Sequence, residues 1–256
     1  MFREKRHNHS TSWQKVSKWY HHLQGSKGDY FHRLIIPKVL KILSLKEGDS
    51  LLDLGCGQGV FSRSLPKNIH YTGVDISHNL IVLASKMNKE RNFKFVEGDV
   101  TRTLNLPKNS FSHAIILLSL QNISEPQKAL AVVSEHLKQN GLLIIVLNHP
   151  CFRIPRQTSW GIDEGNKLQY RRINRYLSPL KIPVNVEPSQ GQRGKIAWSF
   201  HFSLSSLSEF LFNSGFVIEK IEEWVSDKIS VGKAGRQENF SREEFPLFLT
   251  LVCRKK

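Results

Sequence analysis

The chain is short of cysteine, methionine and acidic charge, and it has no long apolar run. Its three cysteines, Cys56, Cys151 and Cys253, are widely separated and form no C-x-x-C pair. So sparse and odd a set excludes a disulfide framework, argues against a zinc site or any other metal centre, and fits a reducing compartment. The longest aliphatic run, Leu142 to Leu147, has six residues, against the roughly 20 needed to span a bilayer. The first ten residues hold no apolar stretch, so no secretory leader is expected and a cytoplasmic location is. No repeat or low-complexity tract is present. With 39% hydrophobic and 23% charged residues over 256 positions, a disordered chain and a fibre are both excluded.

What is abundant is positive charge, and it is unevenly placed. The formal net charge is +15. Residues 1–50 and 150–200 contribute +6 each and 226–256 contribute +3, while the rest of the chain is neutral. A neutral core with basic appendages fits this pattern better than a uniformly basic coat does.

From residue 50 onward, short apolar strands alternate with helical stretches. Strands are expected at Ser50–Leu54, Tyr71–Asp75, Phe93–Glu97, Phe111–Leu118 and Leu142–Leu147. Helices are expected at 60–65, at 80–90 and from Ser124-Glu125-Pro126 to a stop at Asn140-Gly141. Such βαβ alternation implies right-handed crossovers and a mostly parallel sheet covered by helices. The rhythm breaks at Asn148-His149-Pro150, where about fifty residues carry five prolines and little periodicity. Structureless loops of that length are uncommon in compact domains, so a cover segment with short elements of its own is expected. Beyond it lie a strand near 197–202, a helix over 205–214, a strand from Phe216 and a last strand over Leu247–Val252.

The strongest motif is Asp53-Leu54-Gly55-Cys56-Gly57-Gln58-Gly59, at the turn leaving the first strand. Glycines there let a ligand approach the backbone closely. The G-x-G-x-G spacing differs from the G-x-G-x-x-G of dinucleotide sites, and the preceding carboxylate favours a ligand bearing an ammonium group. Cys56 reads as a small packing residue inside the turn. Asp75 ends the second strand, where it is suited to accept two ribose hydroxyls. Asp99 follows the third strand, where it is suited to accept from an adenine amine. All three carboxylates fall at the C-terminal ends of strands, where doubly wound sheets bind ligands.

These motifs, with Gly73-Val74-Asp75-Ile76-Ser77 and Gly98-Asp99, resemble those of the class I S-adenosylmethionine-dependent methyltransferases, small-molecule members of the type 11 kind. The resemblance covers about 50–150 and resumes near 200–252. It implies a Rossmann-like α/β fold: a seven-stranded, mostly parallel sheet with its last strand antiparallel, helices on both faces and an inserted cover. It implies S-adenosylmethionine as cofactor and S-adenosylhomocysteine as product. The implied cofactor residues are Asp53, Gly55, Cys56, Gly57 and Gly59 near the methionine part and Asp75 on the ribose. Asp99 and Val100 lie around the adenine, and Ile76 and Leu118 complete the set. The strand-four segment Phe111-Ser112-His113 departs from the Phe-Asp common among small-molecule members, and no Asn-Pro-Pro-Tyr follows it.

The implied organisation is a helical gate (1–49), a cofactor-binding core (50–149), a basic substrate cover (150–200) and the C-terminal part of the sheet (201–256). His149, leaving strand five, is a candidate general base or a turn residue contacting backbone. Tyr20 and Tyr30, in the gate, are candidates for contact with the sulfonium end or the substrate. Arg153, Arg156, Arg171, Arg172 and Arg175, interleaved with Trp160 and Tyr170, suit carboxylate or phosphate groups, or RNA. The expected activity is in-line methyl transfer to a small acidic or aromatic molecule. The alternatives are a tRNA or rRNA methyltransferase using the basic flanks, or a non-catalytic nucleotide-binding relative. Transient contact with an anionic membrane is a further partner for the basic cover.

Overall fold

The computed structural model of the chain describes residues 29–166, 168–185, 196–232 and 234–256. Five adjacent parallel strands, β1 (Ser50–Leu54), β2 (His70–Asp75), β3 (Phe93–Glu97), β4 (Phe111–Leu117) and β5 (Leu137–Asn148), form most of one sheet. The insert supplies two separate hairpins, β6 (Thr158–Asp163) with β7 (Leu168–Ile173), and β8 (Leu180–Asn185) with β9 (Ile196–His201). The chain then returns to the main sheet with β10 (Phe216–Trp224) and β11 (Phe248–Lys255). The seven strands run in the order β10-β11-β5-β4-β1-β2-β3, and β11 is antiparallel to both its neighbours. This is the expected Rossmann-like α/β sheet.

β5 explains how the sheet is clad. Leu142, Ile144 and Val146 face one side and Leu143, Ile145 and Leu147 the other, and all six are buried. A strand apolar on both faces needs cover on both, which is why its run is continuous rather than alternating. On one side pack α3 (Pro126–His136), with Ala129, Leu130 and Val133, and α4 (Leu204–Asn213), with Leu207 and Leu211. On the other lies α1 (Ile36–Leu43), whose Ile36, Val39 and Leu43 recur at helical spacing and join Phe61 and Leu65. A π-helical turn, Phe31–Ile35, leads into α1. The two remaining helices are α2 (His78–Met87), after β2, and α5 (Gly235–Glu244), between β10 and β11. No helix among the described residues is long and apolar enough to cross a membrane.

Three local expectations are corrected. Residues 60–65 make only a single 3-10 turn, Phe61–Ser64, ahead of Pro66. The third helix ends at His136 rather than at Asn140-Gly141, and the chain enters β5 at once, Leu137 pairing with Phe111. Asn140 (φ 60°) sits at a bulge there, and a Cβ on Gly141 would meet the Lys138 carbonyl oxygen at 2.8 Å. Pro126 opens α3 as expected, but Glu125 is its cap residue and no side chain caps it.

Candidate active site

The strand order reverses between β1 and β4, and the crevice beyond their C-terminal ends is where open α/β sheets bind ligands. A cavity of about 630 Å³ opens there, within the range of small-molecule sites. The turn after β1 forms its floor. Gly55 (φ 76°) and Gly57 (φ 56°) both have the left-handed backbone that side chains disfavour. A Cβ on Gly55 would come within 2.5 Å of the Ser119 Cβ. Ser119 follows β4 and is itself fixed by donating to the Leu54 carbonyl at 2.8 Å. Leu118 borders the cavity with φ 52°, unusual for a leucine, its N–H held by the Val146 carbonyl at 2.7 Å.

Of the carboxylates proposed from sequence, Asp75 and Asp99 border this cavity, as do Gly55, Gly57, Ile76, Val100 and Leu118. Asp75 is nearly buried and accepts from Gly57 N–H at 2.9 Å and Ser77 N–H at 2.8 Å. Burial raises its pKa, and the backbone donors oppose the rise. Backbone donors from Gly57, Ser77 and Ile76 take part of the carboxylate's acceptor capacity, which leaves room for a further donor such as a ribose hydroxyl. Asp99 accepts from the Thr101 N–H and hydroxyl through Oδ1, with the Arg102 guanidinium 3.4 Å from Oδ2.

Asp53, Cys56 and Gly59 do not border the cavity. Asp53 lies beneath the turn, 3% exposed, and its Oδ2 accepts from the Tyr71 hydroxyl at 2.7 Å. Burial lifts its carboxyl to about 7, the Tyr71 bond pulling down and Asp75 pushing up. Cys56 packs across to Gly73, where a Cβ would meet its Sγ at 2.8 Å and the Tyr71 hydroxyl at 2.9 Å. Burial raises that thiol well above its usual range, as befits a packing residue rather than a nucleophile. Gly59 (φ 68°) is closed in by Phe95 and Asn88. Tyr71 and Ser119 have no site role in the expectation from sequence, and Gly73 stands there only within the motif that ends at Ser77. Only Gly73 left a signal, a glycine inside an apolar strand.

The insert is divided. Lys181, Trp198 and Phe200, from β8 and β9, border the cavity beside the cofactor-side residues. The β6–β7 hairpin turns away: Trp160 packs edge-on against Phe245 at 5.3 Å, with the guanidinium groups of Arg153 (5.7 Å) and Arg171 (4.9 Å) over its ring. Those arginines also hold main chain, Arg171 donating to the Phe152 carbonyl and Arg153 to those of Phe245 and Pro246. Arg156, Arg172 and Arg175 are exposed.

His149 borders neither that cavity nor a second, narrow one that its neighbours Asn148 and Pro150 line. It is 1% exposed, its Nε2 lies 2.6 Å from the Glu223 carboxylate and its Nδ1 accepts from Cys151 N–H at 3.2 Å. With both nitrogens engaged, it ties the end of β5 to β10 and has no lone pair to offer a substrate. Tyr20 lies outside the described residues. Tyr30 donates to or accepts from Ser226 at 2.7 Å and meets Phe248 edge-on, away from both cavities.

A second, narrow cavity of about 30 Å³ adjoins the first, Phe200 bordering both. Leu120, Leu147, Ile154 and Phe202 give it apolar walls, and Gln121, Asn148, Arg153 and His201 bring polar atoms to it.

Residues 52–145 match the model of the methyltransferase domain family. Among curated proteins, demethylmenaquinone methyltransferase from Staphylococcus aureus strain JH9 is 29% identical over 136 residues, 51% of this chain and 56% of that protein. The chain thus spans about half the length of the curated relatives it matches. An S-adenosylmethionine-dependent methyltransferase from Mesorhizobium loti superposes with a TM-score of 0.68 at 23% identity, covering 89% of this chain and 99% of that one. One from Aquifex aeolicus gives 0.58 at 15%, covering 95% and 98%. At such identities these two speak for the fold alone. Residues 52–145, which carry the left-handed glycine turn and the buried Asp75, are thus similar to methyltransferase domains, on a fold shared with solved S-adenosylmethionine-dependent methyltransferases.

Proposed function

We propose that the chain transfers the methyl group of S-adenosylmethionine to a small molecule. The observation that carries this reading is the cavity of about 630 Å³ at the sheet's switch point, floored by Gly55 and Gly57 and walled by Asp75 and Asp99. When bound, the cofactor supplies an electrophilic methyl group on a sulfonium. Asp75 would accept from the ribose. Asp99, Ile76 and Val100 would surround the adenine, and the bare turn would admit the amino-acid end. Asp53, beneath the turn, would act through the backbone it supports rather than by touching the ammonium. Trp198 and Phe200 would exclude water from the same space, where alignment of reactants is worth at most about 7–11 kcal/mol.

A small substrate is favoured over RNA by where the basic residues go. Arg153 and Arg171 are occupied by Trp160 and by main-chain carbonyls, so they do not form an open track for a phosphate backbone. The curated relatives are named for demethylmenaquinone, which is also a small molecule. The test is to incubate the chain with methyl-labelled cofactor and, separately, with the small-molecule and RNA fractions of a cell extract. Label is expected in the small-molecule fraction. Label confined to RNA, or in neither fraction, would overturn the reading.

A further inference from the structure

The geometry points to His201 as the group that removes a proton from the acceptor, and to a hydroxyl as that acceptor. This inference rests on the methyltransferase reading above and adds to it a residue and a substrate class.

His201 ends β9, is 5% exposed and borders the narrow cavity next to the cofactor-side one. Its Nε2 lies 2.6 Å from the Tyr176 carbonyl oxygen. A carbonyl only accepts, so Nε2 carries the hydrogen and Nδ1 carries the lone pair. Nδ1 makes no hydrogen bond to any described residue. The contrast with His149 is direct: there the lone-pair nitrogen is consumed by the Cys151 N–H and the other by Glu223. Burial lowers the pKa of His201, the Tyr176 carbonyl opposing, so the ring is neutral near pH 7 and able to take a proton.

The charged and titratable neighbours identify the acceptor. The Tyr176 ring lies 6.0 Å from His201, and its hydroxyl is fixed by accepting from Leu204 N–H at 3.0 Å. The Cys151 thiol is hydrogen-bonded to that same tyrosine, and burial raises its pKa. Arg153 borders the cavity; its guanidinium is held by the Phe245 and Pro246 carbonyls and the Trp160 ring, none of which neutralises its charge, and no carboxylate among the described residues pairs with it, so it acts here through its field. A guanidinium there stabilises an oxygen acquiring negative charge and opposes an amine acquiring positive charge. The reacting group is therefore an O–H. Its O–H bond breaks, the proton goes to Nδ1, and the oxygen's electron pair forms the new bond to the methyl carbon as the carbon–sulfur pair leaves with the thioether. A cavity of about 30 Å³ admits such a group and not a whole molecule, so the rest of the substrate lies toward Phe200 and the larger cavity.

The experiment uses the full chain, labelled with 15N in its histidine rings, saturated with S-adenosylhomocysteine and titrated with phenol. Calorimetry first establishes product binding, and its absence would overturn the methyltransferase reading itself. Given binding, His201, identified by the resonance missing from His201→Gln, is expected as the Nε2–H tautomer at pH 7. Its Nδ1 signal is expected to shift on adding phenol, and the His149 signals are expected to stay still. An Nδ1–H tautomer, or an Nδ1 signal unmoved by phenol while the product binds, would overturn the assignment.

Discussion

The cofactor end of the sheet and the insert that borders it are built by different means. At the cofactor end, contacts are made by main chain and by carboxylates one strand apart. Gly55 and Cys56 N–H groups meet the Val74 carbonyl, Gly57 N–H meets Asp75, and Tyr71 meets Asp53, all within 25 residues of sequence. The insert has no such economy. Its outer hairpin is held by arginines stacked on one tryptophan and by Phe245, about ninety residues away in sequence. A site made of backbone and register tolerates little change, whereas a cover made of side-chain stacking can be loosened without dismantling what it covers.

That contrast is sharpened first by pH. Asp53 has its carboxyl raised from 3.8 to about 7 by burial. The folded protein therefore holds a proton that the unfolded chain has released, and stability falls as pH rises from about 4 to 7. At about 1.4 kcal/mol per unit, the loss is a few kcal/mol. Asp53→Asn, which still accepts from Tyr71, is expected to flatten this slope in denaturant titrations at pH 5 and pH 8. An unchanged slope would show that Asp53 is not sealed beneath the turn.

A smaller effect is expected in the insert. Trp160→Ala removes two cation–π contacts and one edge-on aromatic pair, together about 2 kcal/mol. Hydrogen exchange is expected to quicken in β6 and β7, while affinity for S-adenosylhomocysteine stays within twofold. A large loss of affinity would mean that the two regions are one cooperative unit.

The same difference accounts for what could be read from sequence. The strands of the main sheet were legible because a parallel strand buried on both faces must be apolar, as Ala114–Leu117 and Leu142–Leu147 are. Gly55, Gly57, Asp75 and Asp99 were legible because strand ends bring them to one rim. Of the hairpin strands only β9, expected near 197–202, was legible; half-exposed strands such as Thr158–Asp163 carry no strong alternation. The difference between His149 and His201 was not legible either. His149 adjoins strand five and so drew attention, but its role is set by Glu223, 74 residues on, and that of His201 by the Tyr176 carbonyl. Such pairings belong to tertiary structure and leave no periodic trace.

The central claim is that Asp75 and the glycine turn hold an adenosine bearing a sulfur-linked amino acid. Calorimetry of S-adenosylhomocysteine binding to the parent chain and to Asp75→Ala, with both shown to be folded, measures this directly. Micromolar binding by the parent and a loss of about a hundredfold or more in the variant are expected, the scale of removing charge-assisted hydrogen bonds from a buried site. Equal affinity in the two proteins, or no binding by the parent, would contradict the account.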